Sequence, residues 1–349
     1  MPPVKVLVVD DSALMRQLIS RTLGKYPFIQ VVGTAMNGSD AIGKISALRP
    51  DVVTMDVEMP VMDGLSALKR IMRENPLPVI MFSTLTAQGT KATIEALASG
   101  AFDFVTKPSS PAALEPMVEE LARKIEAAAA VPLNKVVRRR PATGAAVPVS
   151  VPVSRTGGKV QLVVIGTSTG GPGALHTVIP ALPGDFPAAV VVVQHIPAGF
   201  SKPLAEHLDR RASISVRHAE AGDPVSPGRV LVAPAGYDLT FRGRAGNASV
   251  VLSKGVAPLP PGGFRPSVDG VMKSAASVFN DAVIGVLMTG MGRDGAMGMK
   301  EIKQRNGRTI AEAESTCVVF GMPRAAIELG AADRVVPLHQ IVPEIISML

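Results

Sequence analysis

Short apolar runs, each closed by a small or charged residue and followed by an amphipathic stretch, recur along most of the chain. Early on they are Val4–Val9, Val31–Thr34, Val52–Met55, Val79–Phe82 and Phe102–Val105. Later they are Leu162–Ile165, Ala189–Val193, Arg229–Ala233, Ala282–Met288 and a shorter one at Thr309–Ala311. The intervening stretches have helical spacing: Met15, Leu18, Ile19 and Leu23 share one face after a Ser12 cap, and Leu65, Leu68 and Met72 share another. In the later part, Gly173–Ile179, Phe200–Arg211, Val268–Phe279, Ala296–Gln304 and Arg324–Leu329 read as helices. Such alternation predicts α/β architecture, with two doubly wound parallel-sheet domains covered by helices on both faces. The segment 214–253 reads differently, as a hairpin annex with turn signals at Pro227–Gly228 and Gly246–Asn247.

The pattern breaks once. Residues 127–159 open with four alanines and continue with prolines at 132, 148 and 152 and the pair Gly157–Gly158, without amphipathic periodicity. The expected division is therefore a domain over 1–126, a flexible linker over 127–159 and a second domain over 160–349. The linker also explains the net charge of +7: it holds six basic residues and no acid, leaving about +1 for the domains. A basic tether is no nucleic-acid footprint, so nucleic acid is not an expected partner. Cys317 is the single cysteine, which excludes an intramolecular disulfide and reads as an inert buried thiol. Asp10 and Asp11 interrupt the first apolar run, so the start does not read as a signal peptide, and no run approaches the ~20 residues of a bilayer span. A cytoplasmic protein without membrane insertion is expected.

In doubly wound folds the chemistry gathers at the carboxyl ends of strands. In the first domain those ends carry Asp10 and Asp11, Asp56, Ser83 and Lys107. Carboxylates converging on one crevice repel by ~4 kcal/mol per pair at ~4 Å and an effective dielectric of ~20, which a hard cation such as Mg2+ relieves. One carboxylate can then attack a phosphoryl donor while a lysine and a hydroxyl hold the transferred oxygens. The stretches LVVDDS, MDVEMPVMDG and FVTKP resemble the receiver domain of two-component response regulators, a flavodoxin-like fold, over about residues 3–125. The resemblance implies Asp56 as phosphoacceptor and Asp10, Asp11, Asp56 and the Glu58 carbonyl as Mg2+ ligands. It further implies Ser83 and Lys107 as phosphoryl contacts, Phe104 as a switch aromatic, a cis Lys107–Pro108 peptide and a histidine kinase as phosphodonor.

In the second domain the strand ends carry Ser168 in VVIGTSTGGPGAL, His195 in VVVVQHIP and Asp294 in VLMTGMGRDGA. These are the three residue types of a nucleophile, its base and the carboxylate that orients the base. Backbone N–H groups near Thr169 and in the Met291 turn are candidate oxyanion donors. GTSTG fits the nucleophile-elbow pattern, but the order Ser, His, Asp departs from that of α/β-hydrolases. GTSTGG also admits a reading as a phosphate-binding loop, though it lacks G-x-G-x-x-G spacing and a Walker lysine. His176, His207, His218 and His339 are poorer bases, since none follows so strong an apolar run.

The stretches GTSTGGPGAL, VVVVQHIPAGFS, FRPSVD, TGMGRDGAMGM and TCVVFGMPRAAIELG resemble the catalytic domain of the chemotaxis protein-glutamate methylesterase (CheB) family, over about residues 160–345. The resemblance implies a Rossmann-like hydrolase with Ser168, His195 and Asp294 as triad, Met291 in the oxyanion hole and no cofactor for the esterase step. It implies a phosphorylation-activated enzyme that demethylates glutamate γ-methyl esters of methyl-accepting chemoreceptors and deamidates receptor glutamines. A phosphorylation-controlled docking protein without catalysis, or a regulator with a DNA-binding output, is the competing class. The intact Ser168, His195 and Asp294 and the absence of a recognisable helix-turn-helix weigh against these.

Overall fold

The apolar runs form strands buried on both faces, as parallel sheets require. β1 (Val4–Val9), β2 (Ile29–Ala35), β3 (Val52–Asp56), β4 (Val79–Ser83) and β5 (Asp103–Thr106) pair in the order β2-β1-β3-β4-β5, every neighbour parallel. The connecting helices are α1 (Ala13–Leu23), α2 (Gly38–Leu48), α3 (Gly64–Glu74), α4 (Ala87–Ala98) and α5 (Leu114–Ala129). Ser12 caps α1 as its sequence predicts, accepting from the Met15 N–H, and Ile19 and Leu23 are its buried residues. All residues of β3 and β4 are buried, so their polar neighbours can only emerge at the ends. The strand order reverses between β1 and β3, opening a crevice at their carboxyl ends.

The computed structural model describes residues 2–108, 110–132, 160–255 and 263–349. The chain divides into two units, Met1–Pro141 and Ala142–Leu349. α5 runs through Ala129, so the first alanines after residue 126 continue that helix. The rest of the predicted linker, from 133 to 159, lies outside the described residues.

The second unit comprises β6 (Leu162–Thr167), α6 (Gly171–Val178), β7 (Ala189–Gln194), α7 (Ser201–Asp209), β8 (Ser215–His218), β9 (Arg229–Val232), β10 (Asp238–Arg244), β11 (Asn247–Ser253), α8 (Val268–Phe279), β12 (Val283–Leu287), α9 (Ala296–Gln304), β13 (Arg308–Glu312), α10 (Met322–Glu328), β14 (Arg334–Val336) and α11 (Ile341–Ser347). Its seven-stranded parallel sheet has the order β14-β13-β12-β6-β7-β9-β8, and β10 and β11 form a separate antiparallel pair. The order reverses at β6, which has β7 on one side and β12 on the other.

Only part of the 214–253 segment is the hairpin its turn signals suggest. β10 and β11 are joined at Gly246, which has a φ of +83°. β8 and β9, either side of Pro227–Gly228, are instead parallel edge strands of the main sheet. The Pro-Gly signal marks a turn within the β8–β9 connection, and short-range turn chemistry does not determine strand direction. β14 and α11 were not predicted. β14 spans three residues, two of them exposed, and lacks an apolar signature.

One close approach fixes where the second site forms. Gly166 of β6 pairs with Leu287 of β12 and Val193 of β7, and a Cβ added there would lie 2.3 Å from Val268 Cγ1, at the first residue of α8. The N-terminus of α8 therefore rests directly on the central strand. Gly166→Ala should destabilise this unit by about 1–3 kcal/mol through overpacking, read as a lower urea midpoint with unchanged slope. A wild-type midpoint would show that the helix yields there without cost.

Candidate active site and carboxylate cluster

The register of the second sheet brings two of the predicted residues side by side. Thr167 and Gln194 are partners across β6 and β7, so Ser168 and His195 leave adjacent strands, which run roughly 4.8 Å apart in a sheet. His195 N–H donates to the Thr167 carbonyl at 2.9 Å. The Gln194 side-chain amide donates to the carbonyls of both Ser168 (2.9 Å) and His195 (2.8 Å), and its own oxygen accepts from the Thr167 hydroxyl. On the other side, Ser168 N–H donates to the Thr289 carbonyl at 3.0 Å, and the Thr289 hydroxyl donates to the Thr169 carbonyl at 2.9 Å.

The turn after Ser168 closes at Gly170, with φ +79°, and α6 begins at Gly171, two residues earlier than its periodicity suggests. Ser168 thus precedes the partially positive end of a helix. Gly290 lies against it: a side chain at 290 would come within 2.8 Å of Ser168 Cβ and 2.2 Å of Met322 Sδ. Among the described residues, no backbone carbonyl accepts from the N–H of Thr169 or of Met291.

The third predicted residue meets the second. His195 Nε2 donates to Asp294 Oδ2 at 2.8 Å. Asp294 accepts three further hydrogen bonds, from Val268 N–H (2.8 Å), the Ser267 hydroxyl (2.9 Å) and Asp269 N–H (2.9 Å). Burial by itself would raise this carboxyl. The bonds from His195 and from the first turn of α8 outweigh it and hold the carboxyl at about 2. Asp269 reaches back to accept from Gly295 N–H (2.9 Å) and Gly298 N–H (2.6 Å), so the starts of α8 and α9 exchange carboxylates. Burial pushes Asp269 upward, against the Gly298 bond and with the charge of Asp294. No hydrogen bond joins the Ser168 hydroxyl to His195 among the described residues, and hydroxyl–base bonds are often long before substrate binds.

Residue-by-residue reading missed Gln194, Phe264 and Ser267. Gln194 had a signal, as the lone amide at the end of an otherwise apolar strand. Phe264 stacks on the His195 ring, with centroids 4.7 Å apart and planes 7° from parallel; it and Ser267 belong to the FRPSVD stretch. The other histidines lie elsewhere: His218 bonds Ser201 at 3.0 Å, and His176 packs on His207 with centroids 4.5 Å apart. Cys317 is buried, as expected.

In the first unit, Asp10, Asp11 and Asp56 present carboxylate oxygens within 4.8 Å of one another. Lys107 Nζ lies 2.6 Å from Asp56 Oδ2 and 2.9 Å from Asp10 Oδ2. The contact to Asp10 is an ion pair without hydrogen-bond geometry, so the buried Asp10 Oδ2 has no hydrogen bond. Asp56 accepts otherwise only a long bond from Glu58 N–H, 3.4 Å. Burial pushes Asp56 up to about 6, reinforced by Asp10 and opposed by Lys107. Burial would lower Lys107, but the two carboxylates raise it. Hard, buried and under-coordinated carboxylate oxygens are the donor set that Mg2+ takes. Ser83, at the end of β4, directs its hydroxyl to the Thr84 (3.1 Å) and Gly89 (3.4 Å) carbonyls and accepts from Thr93 Oγ1 at 2.5 Å. Phe104 is buried on β5. The cis peptide found among the described residues is Arg265–Pro266; the Lys107–Pro108 bond is not cis, contrary to the receiver resemblance.

Comparison with known proteins agrees with both halves. The profile of the CheB methylesterase family matches residues 163–345, and that of response regulator receiver domains matches residues 6–119. The chain is 48% identical to a protein-glutamate methylesterase/protein-glutamine glutaminase of Symbiobacterium thermophilum, over 97% of this chain and 95% of that one. It is also 48% identical to a protein of the same name from Archaeoglobus fulgidus, over 99% and 98%. The crystal structure of the Thermotoga maritima CheB methylesterase catalytic domain superposes with a TM-score of 0.52 at 43% identity, covering 54% of this chain and 99% of that one. With this agreement along its length, the chain belongs to the CheB family of methylesterases that carry a receiver domain.

Proposed function

We propose that Ser168, His195 and Asp294 hydrolyse glutamate γ-methyl esters on chemoreceptors, under control of phosphorylation at Asp56. The observation that carries the hydrolase half is the bond from His195 Nε2 to an Asp294 held ionised by four donors. It fixes the tautomer with hydrogen on Nε2 and leaves the Nδ1 lone pair as the base. Ser168 Oγ bonds to the ester carbonyl carbon as Nδ1 takes its proton. The N–H groups of Thr169 and Met291, which no backbone acceptor engages, are the donors for the oxyanion. As the tetrahedral intermediate collapses, the bond to methoxide breaks and Nδ1–H protonates it to methanol. Water, deprotonated by Nδ1, then cleaves the acyl-serine to glutamate. With a glutamine side chain the same steps release ammonia.

In the receiver unit, Asp10, Asp11, Asp56 and the Glu58 carbonyl would hold Mg2+, which when bound neutralises charge on the transferred phosphoryl group. A carboxylate oxygen of Asp56 bonds to phosphorus as the bond to the histidine kinase's phosphohistidine breaks. Lys107 holds a transferred oxygen. Ser83 reaches another only by leaving its bonds at the start of α4, which couples phosphorylation to that helix and to the neighbouring Phe104. No helix of the described residues is long and apolar enough to cross a membrane, consistent with action on the receptor's cytoplasmic part.

Methanol release from a methylated receptor fragment tests the triad. Ser168→Ala and His195→Gln should each lower it at least about 10³-fold, and turnover near wild type in either would dismiss these assignments. Asp294→Asn should cost a comparable factor through the lost tautomer control. Because folding holds Asp294 at about 2, below its ordinary value, its ionisation stabilises the fold above about pH 4 and that contribution disappears as pH falls toward 2. The stability gap between wild type and Asp294→Asn should therefore narrow by roughly 2 kcal/mol between pH 5 and pH 2; a gap constant with pH would contradict the ionised carboxylate. A small phosphodonor with Mg2+ should accelerate methanol release by the full chain and leave Asp56→Asn at its basal rate. Equal acceleration of that variant would place the phosphoacceptor elsewhere.

A further inference from the structure

Phe264 belongs to no part of the chemistry described so far, yet its ring lies flat on His195, 4.7 Å between centroids and 7° from parallel. We propose that Phe264 is a positioning residue for the base: it fixes the plane of the imidazole and favours the imidazolium formed when Ser168 loses its proton. The inference rests on His195 being the base. Two constraints are needed to fix an imidazole ring. The Asp294 bond fixes one nitrogen but permits the ring to swing about that contact, and a flat ring against its face removes the swing. The same face carries the negative side of the aromatic quadrupole, which attracts a cation and does little for a neutral ring. The stacking therefore strengthens as the proton arrives.

The surrounding backbone is built to hold this ring. Arg265, the next residue, bonds Asp238 Oδ1 through Nε (3.1 Å) and the Gly255 carbonyl through a terminal nitrogen (2.8 Å), and its own carbonyl accepts from Gly236 N–H at 2.8 Å. A side chain at Gly255 would fall 2.2 Å from the Arg265 guanidinium carbon, so the close packing depends on glycine there. Two residues further on, Ser267 caps α8 and donates to Asp294. Four consecutive residues, Phe264 to Ser267, thus grip the base by its face and the acid by its oxygen, and an ion pair to the start of β10 anchors them.

The alternative is a plain apolar cover, for which any side chain of similar bulk would serve. Phe264→Leu and Phe264→Met keep the bulk and lose the π face; Phe264→Tyr keeps both. In the full-length protein, Leu and Met should lower kcat for methanol release about three- to thirty-fold with KM little changed. The acid limb of the kcat/KM profile should move to lower pH, since the imidazolium is less favoured, and Tyr should restore both. The His195 ring-proton resonances, shielded by the stacked ring, should move downfield in the Leu variant. Wild-type kcat and pH profile in Leu and Met, with His195→Gln inactive, would overturn this inference alone. Full activity in His195→Gln would overturn the base assignment and this inference with it.

Discussion

A carboxylate at the end of a buried strand must be compensated or it will take up a proton, and this chain poses that problem twice and answers it in opposite ways. Asp294 receives four hydrogen bonds, three of them from the first turn of α8 and its cap, and is held at about 2. Asp56 receives one lysine and one long N–H bond, and burial pushes it up to about 6. A carboxylate surrounded by donors is a fixed charge, suited to orienting an imidazole and opposing its positive charge. A carboxylate short of donors remains reactive and receptive to a cation or a phosphoryl group. The two proposed roles follow from donor count, since residue type and position at a strand end are the same.

The parallel sheets explain why both sites lie where they do. Strands buried on both faces leave polar side chains no exit but the ends, and the carboxyl ends face helix N-termini. In each sheet the strand order reverses beside the site, at β1 and β3 in one and at β6 and β12 in the other. The second reversal sends one connection from β6 toward β7 and brings the other side of the site in on β12. Gly166 lets α8 settle on β6 and so delivers its amides to Asp294. The base and nucleophile come from register, and the acid from helix packing.

These two origins also mark what the sequence could reveal. Strand ends are local features, so Asp10, Asp56, Ser83, Lys107, Ser168, His195 and Asp294 all stand out from composition alone. Val268–Phe279 and Ala296–Gln304 are helices with the predicted bounds, because their amphipathic spacing is uninterrupted. Contacts made across the fold leave no such trace. Ser267 and Phe264 sit in a proline-containing stretch whose spacing signals neither strand nor helix, and their partners are distant in sequence. The parallel pairing of β8 with β9 was hidden for a similar reason, since a Pro-Gly turn has the same chemistry whether the next strand returns or crosses over. The resemblance to receivers brought a cis Lys107–Pro108 bond that this chain does not have, a reminder that family features transfer position by position.

The order Ser, His, Asp then becomes intelligible as topology. A triad needs three groups at fixed mutual positions, and the chain order is whatever order the strands supply. Here β6 and β7 are consecutive in sequence and adjacent in the sheet, so the nucleophile and base come first, while the acid waits for β12, which returns on the far side of β6. The acid meets Nε2, the atom farther along the ring, and the base function falls to Nδ1, the atom nearer the backbone of β7. A base acting through its inner nitrogen has little freedom to reorient. That makes the backbone bonds among Thr167, Gln194, Ser168 and His195 as consequential as the side chains, because they fix where the inner nitrogen can be.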